Sequence, residues 1–178
     1  MILVPKYRKM HVKGFSISIL IYILCIFTCS VRAADYLPEQ YRYEIMPAGT
    51  GANETFLYRV ICVIKNPAQA ADAASACAVH GVIFRGCGKN GNFPEQTPLC
   101  QYDTLTDTQK AYYDRLFNDD NYRQYVVSVA RGSIKITKVK KEYQAEVIVS
   151  VNKRKLRRDL ENSGMIEKLG AIFQKQTN

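Results

Sequence analysis

The stretch from Thr55 to Ile83 constrains this chain more than any other. Phe56 to Ile64 (FLYRVICVI) is almost wholly β-branched, aromatic or aliphatic, interrupted mainly by Arg59. That composition predicts a strand buried on both faces. Asn66-Pro67 stops it and puts a proline at the start of a helix, where a missing N–H is tolerated. Ala68 to His80 follows, with Ala71, Ala74 and Ala78 at helical spacing. Small side chains on one face let a helix lie close on a sheet. Gly81 is the expected helix end, and Val82 to Phe84 reads as a short second strand. The unit is therefore predicted to be β-α-β.

The flanking segments read more simply. Tyr41 to Met46 is a candidate first strand, and Pro47 to Asn53 a turn with two glycines but no phosphate-loop spacing. Arg85 to Cys100 is too polar and glycine-rich for an element. A helix is predicted within Asp103 to Asn118, capped by Asp103 or Thr106, with Tyr112, Tyr113, Leu116 and Phe117 as its buried stripe. Beyond Asn121, three alternating segments predict strands. Tyr125, Val127 and Val129 mark the first; Ile134, Ile136 and Val139 the second, with Lys135 and Lys138 outward. Tyr143, Ala145, Val147, Val149 and Val151 mark the third, after a turn at Lys140-Lys141-Glu142. Lys153 to Glu161 is a charged helix with Leu156 and Leu160 as its apolar pair, and Met165 to Phe173 a short amphipathic one. The expected fold is one α+β domain, with a mixed or mainly antiparallel sheet and helices packed on one face.

The first residues belong to a different class. Lys6, Arg8, Lys9 and Lys13 precede an apolar run from Phe15 to Phe27, and Val31-Arg32-Ala33 places small residues for a peptidase. This is the order of a secretory signal peptide over residues 1–33, leaving residues 34–178 as the domain. A retained anchor would need a longer apolar run. Lipidation at Cys29 would need smaller residues than Phe27 and Thr28 before it. Export to the periplasm or cell envelope is the expected localisation. Four cysteines remain after residue 33, and in an oxidising compartment they predict disulfides. Cys87 and Cys100 bracket the glycine-rich loop and are the preferred pair. Cys62 and Cys77 would pair across the strand–helix packing or fill space as small apolar groups.

Charge is unevenly spread. The whole chain carries +9, but residues 34–130 hold 8 basic and 11 acidic groups, whereas residues 131–178 hold 12 basic and 5 acidic. The densest run is Lys153, Arg154, Lys155, Arg157 and Arg158. These five are the candidate partner-binding residues, with a solvated helix face as the plainer explanation. Such a field suits an acidic envelope protein first and an anionic membrane surface second. Nucleic acid is disfavoured, because no aromatic platform is interleaved with the basic residues.

Catalytic signals are sparse. His80 is the single histidine after residue 33, and its place at a helix C-terminus suits a structural role. The least implausible enzyme is a thiol-dependent hydrolase or transferase using Cys77 or Cys87 with His80. No metal-ligand spacing or cofactor fingerprint is present in the sequence, so no cofactor is expected. The primary expectation is a non-enzymatic binding protein.

Three segments carry a resemblance: AGTGANETFLYRV (Ala48–Val60), AVHGVIFRG (Ala78–Gly86) and KEYQAEVIVSVNKRKLRRDLENSGMIEKL (Lys141–Leu169). Through them the chain resembles uncharacterised secreted proteins of the Bacteroidetes. The resemblance implies export and assigns no catalytic residue. In element order alone the chain is similar to small envelope-associated α/β domains of secretin-associated and flagellar accessory proteins.

Overall fold

The strand at the centre of the sequence argument, β2 (Phe56–Ile64), buries one face and half-opens the other. The computed structural model describes residues 42–52 and 55–168. The signal peptide expected over residues 1–33 and residues 169–173 of the expected last helix lie outside the described residues. Met165 to Lys168 are not helical.

Three strands run side by side in the order β1 (Tyr43–Thr50), β2, β5 (Glu142–Val151). Two shorter ones share the far edge of β5: β3 (Val126–Val129) pairs with its C-terminal end and β4 (Lys135–Val139) with its N-terminal end. Every pairing is antiparallel. A short 3-10 turn at Arg131–Ser133 joins β3 to β4 and keeps contact with β5. Ala130 N–H donates to the Ile148 carbonyl at 2.9 Å, and Ile148 N–H donates to Ser133 Oγ at 3.0 Å.

Register places the apolar rows opposite one another. Tyr43, Cys62 and Ala145 are paired across three strands, as are Ile45, Val60 and Val147. All six are buried, as are Tyr58, Val149 and Val151. Full burial of one such valine stabilises by about 1.5–3 kcal/mol. Helix α1 (Ala70–His80) lies on this face with Ala73, Ala74, Ala76, Cys77, Ala78 and Val79 fully buried. A 3-10 turn at Pro67–Gln69 leads into it, and Asn66 Oδ1 accepts the Ala68 N–H. Helix α2 (Asp107–Asn118) starts at a capping box, in which Thr106 and Gln109 satisfy each other's backbone N–H groups. Its Tyr113, Leu116 and Phe117 complete the core. Helix α3 (Lys153–Asn162) adds Leu156 and Leu160. The domain is thus α+β, with an antiparallel sheet and helices packed against it.

Three local expectations are corrected. Gly81 does not end α1, and Val82 to Phe84 is no strand; the chain continues as a π turn over Gly81–Arg85. Glycine is needed there for approach: a Cβ would lie 3.0 Å from the Ile45 side chain. Gly86, at φ 66, makes the actual stop. The Pro47–Asn53 turn also begins later than expected, because β1 runs on to Thr50 through a bulge between Pro47 and Gly49. Finally, β2 is not buried on both faces, for its open side carries Leu57, Arg59, Ile61 and Val63 without a covering layer among the described residues.

Candidate binding surface

The five basic residues of α3 do not act as one solvated row. Lys153 is half-buried and donates to Gln96 Oε1 at 2.7 Å, the same oxygen that accepts the Tyr58 hydroxyl at 2.8 Å. Its ammonium lies over the Phe56 ring, and burial lowers its pKa. Lys155 reaches Gln124 at 2.7 Å and Asp159 at 3.1 Å, and stands 4.5 Å over the Tyr125 ring. Arg157 bonds Glu161 at 2.9 Å, one turn away. Lys153 and Lys155 therefore brace the helix against the domain, while Arg157 pairs within the helix. Arg154 and Arg158 face outward, the latter with 67% of its side chain exposed. The spacing explains the division: Leu156 and Leu160 point into the core, and positions beside them in the helical wheel are drawn to its rim.

A second basic patch sits at the other end of β5. Lys135, Lys138, Lys140 and Lys141 lie on β4 and the turn that follows, and all four are exposed. Nearby carboxylates are already engaged: Glu142 with Arg42 at 2.6 Å, and Glu146 with Arg59 at 3.6 Å and Lys135 at 3.9 Å. A groove of about 560 Å³ opens beside this turn, lined by Arg42, Val63, Val139, Lys140, Lys141 and Gln144 among others. Sequence reasoning pointed Lys135 and Lys138 outward but left them out of the binding face. Four lysines within seven residues, on a segment with only alternate apolar positions, was the signal that could have found them.

The cysteines overturn the expected disulfide. Cys87 and Cys100 are both free thiols, as are Cys62 and Cys77. The loop between Cys87 and Cys100 closes on itself by backbone pairing, Cys87 with Gln96 and Asn90 with Phe93. Cys100 is held elsewhere, its N–H donating to the Ile83 carbonyl at 2.9 Å. The loop is thus closed by hydrogen bonds and not by a covalent link. Burial raises the Cys87 thiol, opposed by the Lys153 ammonium, and pushes Cys100 up to about 11. Cys77 is held well above the usual thiol range by its hydrogen bond with Cys62 and by burial.

His80 is packed among rings. Its Nδ1 is hydrogen-bonded to the Tyr43 hydroxyl, and Phe84, Tyr113 and Phe117 lie within 6 Å between ring centres. Burial and then the nearby Arg85 charge lower its pKa to about 3. Arg85 itself stacks 4.0 Å over Tyr43 and donates to the Tyr43 carbonyl at 2.9 Å. Among the described residues, no cluster of three or more His, Cys, Asp or Glu side chains is placed to hold a metal ion. No helix among them is long and apolar enough to cross a membrane. Comparison with known proteins finds no matching family, curated protein or solved structure.

Proposed function

We propose that this is a non-enzymatic protein of the periplasm or cell envelope that binds an acidic partner protein through its basic C-terminal third. The observation that carries the reading is an exposed excess of basic over acidic groups. Helix α3 holds five basic groups against two carboxylates, Asp159 and Glu161, and its Arg154 and Arg158 stand exposed. The lysines of the β4–β5 turn are in surplus in the same way. Positive charge of this kind sets encounter rate and orientation, while nearby apolar groups supply affinity. An anionic membrane surface would be a weaker occupant, since charge alone gives marginal attachment. The resemblance to secreted Bacteroidetes proteins supports the location.

The thiol-dependent alternative draws little from the geometry. A general base works best with a pKa near the working pH, whereas His80 is held neutral and hydrogen-bonded to Tyr43. Burial keeps Cys87 protonated, against the low pKa that activates a thiol.

The test is capture of acidic proteins from an envelope extract at low salt. Because Lys153 and Lys155 brace the fold, the informative variant is Arg154→Gln with Arg158→Gln, Lys140→Ser and Lys141→Ser. The partners held by the wild type should be lost from this variant, and from the wild type as salt is raised. A folded variant that keeps every wild-type partner would sink the reading.

A further inference from the structure

The two edges of the sheet are finished differently. On β1 the outward backbone groups belong to Tyr43, Ile45 and Pro47, as the opposite alternation bonds to β2. Arg85 covers the Tyr43 carbonyl, Asn90 Nδ2 covers the Pro47 carbonyl at 2.9 Å, and Pro47 has no N–H to offer. A bulge follows at once. Such an edge refuses a further strand.

The β4 edge carries none of these guards. All five residues of β4 are exposed, including Ile136 at 43% and Val139 at 46%. Val139 and Glu142 flank the two-residue turn and form a hydrogen-bonded pair, so Thr137 and Lys135 also face β5. The same alternation appears further along, where Ile148 bonds to Ala130 and Ser133 on this edge. The N–H and C=O of Ile136 and Lys138 therefore point away from the sheet. They meet no backbone partner among the described residues.

We infer that β4 is a docking edge for an extended acidic segment of a partner protein, which adds to the sheet as a further strand. This deepens the reading above and rests on it. Backbone pairing supplies affinity in strand addition, and side chains supply selection. Selection here is by charge. Lys135 and Lys138 lie on opposite faces of β4, and Lys140 and Lys141 follow at its end, so an incoming strand meets cations on both faces. Opposite charges across a strand pair stabilise and like charges destabilise. A second copy of β4 would bring both sets of four lysines to one seam, whereas a strand rich in Asp and Glu would match them.

The experiment uses the whole protein and a short peptide alternating Glu and Val, beside the same peptide N-methylated along one backbone edge and a version with Lys for Glu. Affinity is read by fluorescence anisotropy, and amide exchange by NMR. The Glu peptide should slow exchange of the Ile136 and Lys138 amides, and N-methylation should weaken binding by about tenfold or more. Lys138→Pro removes an outward N–H without touching the β5 ladder and should weaken binding comparably; the N-methylated arm stands even if that variant folds poorly. The Lys peptide should not bind. If methylated and unmodified peptides bind alike, strand addition fails while recognition of acidic partners survives. If no peptide binds, strand addition also fails, and the capture experiment alone decides the broader reading. Dimerisation abolished by Lys138→Pro would overturn the chosen occupant in favour of a second copy.

Discussion

Acidification should destabilise this protein through one residue, His80. The imidazole is 5% exposed and sits against Tyr43, Phe84, Tyr113 and Phe117. Its pKa falls from 6.5 to about 3 because a charged ring there loses hydration and faces Arg85. The unfolded chain therefore binds a proton that the folded domain refuses. For a depressed folded pKa, the stabilisation is full above the unfolded value and is lost as pH falls from 6.5 toward 3. Each pH unit inside that window is worth about 1.4 kcal/mol. Between about pH 7.5 and pH 5 the loss is roughly 2 kcal/mol, a large part of a typical domain's stability. His11 is the one other histidine in the chain. Urea unfolding at the two pH values should show this drop in wild type. His80→Gln should be less stable at neutral pH, yet nearly independent of pH over the same interval. Equal pH dependence in the two proteins would refute the burial argument.

Two further substitutions probe the backbone. Gly86→Ala should destabilise by roughly 2–4 kcal/mol in denaturant unfolding, since the residue sits at φ 66 and a Cβ would lie 2.3 Å from the Gln96 carbonyl oxygen; a loss under about 0.5 kcal/mol would mean that the loop yields freely. Lys140→Gly should stabilise by about 0.5–1 kcal/mol in the same assay, because Lys140 holds φ 58 in the β4–β5 turn, and an unchanged or lowered midpoint would contradict it.

Much of this architecture was legible in the chain itself, wherever one local pattern met no rival. The alternation from Tyr143 to Val151 names the buried face of β5 because side chains on a strand have a period of two. Thr106 with Gln109 marks the start of α2 through a cap that needs only four residues. Leu156 and Leu160 name the inward face of α3 for the same local reason. What the tertiary structure alone decided is where distant segments compete for one place. Gly81 looked like a helix end, but its backbone stays helical, and the Ile45 side chain lying against it leaves little room for a Cβ. The cysteines looked paired by spacing, but Gln96 takes the place opposite Cys87, and sequence distance does not reveal which residue a loop folds back on. The basic run of α3 looked like one surface, until Gln96, Gln124 and the rings of Phe56 and Tyr125 drew two of its five cations, Lys153 and Lys155, inward. Charge is a property of the sequence, whereas its exposure depends on what packs beside it, and that is fixed by contacts made far along the chain.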